Sequence, residues 1–168
     1  MGGARLALPT MIESIRKLYQ LLIDLASKLQ PVLLLAVRLY WGYQFTQTGW
    51  GKLNNLGRVT HFFGSLGIPA PAINAAFISG LEVVGGILLA LGLGSRLVSL
   101  LFVGDMFVAY VAADREALLS FFTDPDKFVG AAPCTFLCAS LLILIFGPGP
   151  WSLDAAIGRR FTKTQTAA

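Results

Sequence analysis

Residues 73–113 read INAAFISGLEVVGGILLALGLGSRLVSLLFVGDMFVAYVAA, and this stretch decides the fold class. Two apolar runs, residues 73–93 and 97–113, flank a tight turn at 92–96, and their only charged residues are Glu82 and Asp105. Runs of about 17–21 residues at about 1.5 Å per residue are long enough to cross a hydrocarbon core of about 30 Å. The stretch therefore predicts two membrane-spanning helices joined by a short turn.

Two further apolar runs flank this pair. One covers residues 32–49 after Pro31, and the other covers residues 131–146 and stops at Gly147–Pro150, because prolines cannot continue a helix. The whole chain is 55% hydrophobic and 13% charged, whereas soluble domains carry about 25% charged residues. Mean hydropathy is +0.70. We therefore predict an all-α integral membrane four-helix bundle over residues 31–150.

The N-terminal segment, residues 1–30, has a different pattern. Apolar residues recur at steps of three and four, with charges on the opposite side, which predicts an amphipathic helix over 11–29; the stripe is Met11, Ile15, Leu18, Leu22, Leu25 and Leu29. We place this helix flat in the cytoplasmic headgroup region. A helix docked on the protein's own cytoplasmic face is the alternative. Residues 151–168 predict a polar, basic cytoplasmic tail.

Basic residues outside the predicted spans indicate the orientation. One side holds eight, namely Arg5, Arg16, Lys17, Lys28, Arg96, Arg159, Arg160 and Lys163, and the other holds four, namely Lys52, Arg58, Arg115 and Lys127. The side with more basic residues is cytoplasmic, so both termini are predicted to lie inside. Residues 50–72, with a short helix over 56–66, and the acidic loop 114–130 would then lie outside.

Several functional classes are disfavoured. The net charge of +4 comes from scattered basic residues, which argues against a nucleic-acid partner. A single histidine, His61, argues against a haem or metal site within the chain. Cys134 and Cys138 are four residues apart on one helix face, where disulfide geometry is rarely reached, so packing is the simpler interpretation. We predict no covalent or metal cofactor.

Three charged residues fall inside the predicted spans: Arg38, Glu82 and Asp105. A charge at a helix centre costs about 2.5 kcal/mol or more, so each needs a partner or a polar pocket. Helical rise puts them roughly 10, 16 and 13 Å from the predicted cytoplasmic edge. These overlapping depths predict one buried cluster.

This cluster has two interpretations. One is a salt bridge from Arg38 to Glu82 that only fixes helix packing. The other is a pocket that binds a small ligand or relays protons, as a quinone site would need. Gly42, Phe45, Gly49, Gly85 and Gly86 are candidates to line such a pocket, although glycines in spans also serve close helix packing.

The sequence resembles the DoxX family of small four-helix membrane proteins. The resemblance covers residues 31–156. It rests on Arg38, Gly42, Phe45, Gly49, Lys52–Leu53, Phe62–Phe63, Gly67–Pro69, Pro71, Gly80, Glu82, Gly85–Gly86, Gly92–Leu93, Arg96, Gly147–Gly149 and Ser152–Asp154. It implies the four-helix architecture. For function it implies a diverse set of roles, among them the membrane subunit of a thiosulfate:quinone oxidoreductase and components of methylamine utilisation or oxidative-stress complexes.

Two functions are expected from these observations. The first is a membrane subunit of an oxidoreductase system in the plasma membrane, with a quinone or similar ligand at Arg38, Glu82 and Asp105 and the reducing cofactor in a partner. The second is a structural or assembly subunit without ligand chemistry. Expected partners are the bilayer and either other membrane or peripheral subunits or further copies of the chain. A transporter is disfavoured, since four helices without a visible repeat are few for alternating access.

Overall fold

The computed structural model describes residues 4–165, and the side chains of residues 12–160. Met11, Arg5 and Lys163, which entered the predictions above, lie outside the described side chains. The described backbone forms helices and no strand. In chain order these are α1 (Ala4–Leu53), α2 (Leu56–Ser65), α3 (Pro71–Leu91), α4 (Ser95–Ala112), α5 (Arg115–Leu119), α6 (Pro125–Gly130), α7 (Ala132–Phe146) and α8 (Leu153–Gln165).

Helix α1 differs from the sequence prediction. We expected one helix over 11–29 and a second beginning at Pro31, but a single helix of 50 residues runs through the proline. Proline removes one backbone hydrogen bond and crowds the preceding turn, which penalises a helix locally. Leucine and alanine on both sides are strong helix formers, and the helix continues.

The chain divides into two compact units, residues 1–33 and 34–168. The first unit consists of the N-terminal part of α1. Its apolar side chains are exposed, among them Ile15, Leu18, Leu22, Leu25 and Leu29. The predicted position of this segment in the headgroup region stays a prediction.

The second unit contains the bundle formed by residues 34–53 of α1 with α3, α4 and α7. Its core holds side chains from all four, namely Leu34, Phe45, Leu89, Val98, Phe102, Met106 and Ile143. The rings of Phe45 and Phe102 stack with centroids 3.7 Å apart, and Phe136 of α7 meets Phe45 edge-on. The all-α bundle predicted from the sequence is confirmed.

Three helical segments in the described chain are long and apolar enough to cross a membrane: Ile12–Leu53, Pro71–Leu91 and Ser95–Ala112. The segment in α1 has 42 residues, about twice the number that one crossing needs. Helix α7 is apolar but has only 15 residues, or about 22 Å. The three long apolar segments make the chain an integral membrane protein.

The connecting segments and the C-terminal segment contain more helix than predicted. The short helix expected over 56–66 is present as α2. The expected loop over 114–130 contains α5 and α6, and Asp124 caps α6 by accepting a hydrogen bond from the Lys127 backbone N–H. The expected tail contains α8.

Candidate functional site: an apolar cavity with a lysine and two carboxylates

Arg38 lies at one end of the bundle, formed by the α3–α4 turn and residues 147–152 and called here the turn end. The side chain is 1% exposed. Its two terminal nitrogens donate to the carbonyl oxygens of Pro148 and Trp151, each at 2.8 Å. Its Nε has no hydrogen-bond partner within the described part of the chain. The guanidinium thereby holds the segment after α7 against α1.

The same end is closed by Asp154. Its carboxylate accepts hydrogen bonds from the backbone N–H groups of Gly94 and Ser95 at 2.8 and 3.0 Å, and its own N–H donates to the Gly92 carbonyl. Gly92 has a φ of 73°, and a Cβ there would lie 2.3 Å from Arg38 Nη1. Only glycine therefore fits this turn.

Glu82 lies on α3 near the opposite end, where α2 and the C-terminal part of α4 meet, called here the loop end. Its side chain is 2% exposed and pairs with Lys52 of α1, with Nζ 2.6 Å from Oε1. Its second oxygen, Oε2, has no partner among the described residues. The nearby hydroxyl of Thr48 donates to the Phe45 carbonyl oxygen.

Asp105 of α4 lies within electrostatic range of both Glu82 and Lys52. Its Oδ2 atom is buried and has no hydrogen-bond partner in the described part of the protein. The loop end thus collects two carboxylates and one ammonium group, with one carboxylate oxygen of each acid unpaired.

The predicted cluster is therefore partly wrong. Glu82 and Asp105 are brought together, but Arg38 does not join them, because it is 14 residues from Lys52 along α1, or about 21 Å. The predicted depths assumed that a span begins at Pro31. The structure has no helix end at Pro31, because α1 continues through it.

Sequence reasoning missed Lys52 as the partner of Glu82. The apolar run ends at Gly49, so the sequence pattern places Lys52 in the outer loop. Helical spacing is the signal in the sequence, because Lys52 is three residues after Gly49 and so shares its helix face. The structure adds that Gly49 packs directly on Glu82.

A cavity of about 440 Å³ opens beside this charged group. Its walls come mainly from α2, α3 and α4, with Lys52 of α1. Most of the lining is apolar, and its polar side chains are Lys52, Asn74 and Asp105; the apolar part includes Phe62, Phe63, Phe77, Leu81, Leu101, Met106 and Ala109. Phe62, Phe77 and Leu101 are also exposed on the outer surface. A pocket of this size and character suits an apolar ligand fixed by a few polar groups.

The five residues predicted to line a pocket do not line this one. They pack helices together instead. A Cβ on Gly42 would lie 2.6 Å from the Gly86 carbonyl oxygen, and a Cβ on Gly86 would lie 2.5 Å from Thr46 Oγ1. Gly49 and Gly85 similarly contact Glu82 and Phe102, and Phe45 is fully buried. The contacts therefore agree with the other role expected for glycines in spans, which is close packing of α1 on α3 and of α3 on α4.

The remaining candidates fall outside the cavity. Cys134 is buried and Cys138 is exposed, and neither forms a disulfide. His61 is exposed on α2. Over the described residues, no group of histidine, cysteine and acidic side chains is placed to hold a metal ion.

Comparison with known proteins identifies the family. The DoxX family model matches residues 33–115, a range that contains Arg38, Lys52, Glu82 and Asp105. A membrane protein of Mycobacterium tuberculosis, "Uncharacterized membrane protein Rv3486", is 33% identical over 141 residues, which is 79% of this chain and 85% of the relative. The chain belongs to the DoxX family.

A second relative carries a functional name. The Bacillus subtilis protein "Putative oxidoreductase CatD" is 31% identical over 83 residues, which is 49% of this chain and 60% of that relative. No solved structure matches the chain.

Proposed function

We propose that this DoxX protein is the membrane subunit of an oxidoreductase system, and that the loop-end cavity binds a quinone or a similar hydrophobic redox molecule. The observation that carries the proposal is the apolar cavity with Lys52 and Asp105 in its wall. The oxidoreductase name of the Bacillus subtilis relative supports the class of reaction.

The lining residues would have distinct tasks. Aromatic and aliphatic side chains from α2 and α4 would bind the ring and the start of an isoprenoid tail. The ammonium of Lys52 would donate to a ring oxygen, since only one of its hydrogens is needed by Glu82. Asp105, with an unpaired buried oxygen, would exchange protons with the ligand.

The exposed apolar rim supports entry from the bilayer. Phe77 of α3 and Leu101 of α4 lie on two of the proposed spans and contribute both to the cavity wall and to the exposed surface, which along a span would face lipid. A lipid-soluble ligand would then enter sideways without crossing water. We assign the electron-donating cofactor to a partner subunit.

The topology is part of the proposal. We place four helices across the plasma membrane, namely α1, α3, α4 and α7, with both termini cytoplasmic. The excess of basic residues on the side of the termini and of the α3–α4 turn supports this orientation. Reporter fusions at residues 94 and 122 should report opposite sides. The same side for both would contradict four spans in this order.

The ligand is tested by mass spectrometry of lipids extracted from gently purified protein. We expect near-stoichiometric quinone in the wild type and its loss in Ala109→Phe, which fills the cavity. Val111→Phe is the matched control, because Val111 is on the same helix but outside the cavity wall. Wild-type protein that holds no quinone, even after incubation with duroquinone, would overturn the proposal.

A structural or assembly role is the second candidate. The exposed apolar side chains of the N-terminal part of α1 favour it, because such a surface suits a protein partner. In that case the cavity variant Ala109→Phe should leave the activity of the assembled complex unchanged per folded molecule.

A further inference from the structure

The first half of α1 carries a row of apolar residues with a seven-residue repeat. The row follows alternating steps of four and three residues, at Met11, Ile15, Leu18, Leu22, Leu25, Leu29, Val32, Ala36 and Leu39. These are the a and d positions of four heptads. A straight helix would rotate such a row by about 80° over its length, because 3.6 residues make one turn. The row stays in line when two helices wind around each other.

Six residues of this row lie in the N-terminal unit with described side chains, and all are exposed. They are called here the seam: Ile15, Leu18, Leu22, Leu25, Leu29 and Val32, with exposed fractions of 48–60%. Charged residues on the same segment keep it out of the hydrocarbon core, namely Glu13, Arg16, Lys17, Asp24 and Lys28. An apolar surface of this length outside the hydrocarbon core marks an interaction site.

The polar residues are arranged as a coiled coil requires. With Ile15 at position a, most of them fall at the outward positions b, c and f, namely Glu13, Arg16, Lys17, Gln20, Asp24, Ser27 and Gln30. Lys28 falls at position g, beside the seam. In a parallel pair, a g residue meets the e residue of the partner's next heptad, which is Leu33. The lysine stem can pack on that leucine, and no like charges meet.

A second copy of the chain covers the seam better than a lipid surface does. Helices that lie on membranes have a polar face rich in lysine and arginine. The described residues 12–30 instead contain three basic and two acidic residues. Copies of one membrane protein insert with the same orientation, so their seams run parallel. In register, each seam residue then meets its own counterpart.

We propose that two copies of the chain dimerise through α1, with their seams packed as a parallel, in-register coiled coil over residues 15–32. Tyr19 at position e and Leu21 at position g widen the contact. The proposal does not rest on the proposed function, because the seam residues do not line the cavity. It names the partner for the exposed apolar face of the N-terminal unit.

Disulfide crosslinking of single cysteines tests the contact. The full chain carrying Cys134→Ala and Cys138→Ala is reconstituted in liposomes at a high lipid-to-protein ratio and oxidised with copper phenanthroline. Leu22→Cys and Leu25→Cys place the thiol in the seam, whereas the controls Gln20→Cys and Ser27→Cys place it at position f; all four positions are exposed. We expect at least about tenfold more disulfide dimer from the seam variants, because f side chains lie more than about 10 Å apart.

A charge in the seam tests the same contact without oxidation. Leu22→Glu places two carboxylates opposite each other in the dimer, and Ser27→Glu is the matched control. Dimer fractions are measured by single-molecule photobleaching of labelled protein in the same liposomes. We expect dimerisation to weaken at least about tenfold in Leu22→Glu and to stay unchanged in Ser27→Glu. Both positions are exposed, so the unfolding midpoint of the bundle should not change.

Three results would overturn the inference. The first is equal crosslinking at seam and control positions. The second is a dimer that persists in Leu22→Glu, which would place the contact elsewhere. The third is a monomeric wild type; environment-sensitive labels on the seam that report lipid would then assign this face to the bilayer. None of these results bears on the cavity, whose ligand is measured separately.

Discussion

The two ends of the bundle handle buried charge differently. At the turn end, Arg38 is enclosed by the chain, and both terminal nitrogens bind backbone carbonyls of residues 148 and 151. At the loop end, Lys52 and Glu82 pair with each other, while Asp105 keeps an unpaired oxygen in the wall of a cavity. The first arrangement connects segments of the protein, whereas the second leaves bonding capacity for another molecule.

Charge inside a membrane protein is thus not by itself a sign of a ligand site. The decisive property is whether the protein supplies the partners. Arg38 satisfies carbonyls that follow a helix end and would otherwise be unpaired in a low-dielectric environment. Asp105 has no such partner among the described residues and adjoins apolar space.

The largest effect is expected at the turn end. Arg38→Ala removes two hydrogen bonds from a charged donor, each worth about 1.5–3 kcal/mol, and leaves two carbonyls unpaired. We expect a loss of about 3 kcal/mol or more in unfolding free energy, measured by titration with SDS. Arg96→Ala is the control, since exposed Arg96 makes one long contact of 3.4 Å, and its loss should stay below about 1 kcal/mol. Equal losses in the two variants would remove the contrast between them.

The second effect concerns the glycines between the two ends. Gly86→Ala forces a Cβ to within 2.6 Å of the Gly42 carbonyl oxygen, so α1 and α3 must separate. We expect a loss of about 1–3 kcal/mol in the same titration. Gly80→Ala on the same helix meets nothing within 4 Å and should be neutral or stabilising. An unchanged unfolding free energy in Gly86→Ala would contradict the packing role and favour the interpretation that Gly86 lines a pocket.

The third expected loss of stability tests the ion pair at the loop end. Lys52→Met leaves the Glu82 carboxylate buried without its cation, and we expect a loss of about 1–2 kcal/mol, reduced because the lysine side chain is 34% exposed. The double variant Lys52→Met with Glu82→Gln should be more stable than Lys52→Met alone. Additive losses would show that the pair is not coupled.

The smallest expected loss of stability concerns an ion pair outside the membrane-spanning helices. Lys127 donates to Glu116 at 2.9 Å, and this hydrogen bond with the attraction of the ammonium lowers the pKa of Glu116. Because the folded-state pKa is depressed, the pair stabilises the protein at neutral pH, and the effect is lost as the pH falls through that pKa. Lys127→Met should slightly lower the thermal unfolding midpoint at pH 7 and not below pH 3. An equal decrease at both values would indicate a packing effect.

By itself the sequence determined the membrane class, the family, the helices α2, α3, α4 and α7 within a few residues, and the burial of Arg38 and Glu82. The membrane class and the helices follow from local composition and periodicity, which depend on neighbours along the chain, and the burial follows from charges inside apolar runs. The family follows from the resemblance of the motif residues to those of DoxX proteins. It did not determine that α1 passes through Pro31, that Arg38 binds the segment after α7, or that Lys52 is the partner of Glu82.

Only the structure decided these points, and the two pairings depend on which side chains meet across helices. Arg38 and Trp151 are 113 residues apart, and Lys52 and Glu82 are 30 apart. Depth estimates from helical rise give only the position of a residue along the membrane normal. They do not give the rotation of a helix about its axis or its register against its neighbours. The glycine contacts of α1 with α3 fix that register and so bring Lys52 beside Glu82.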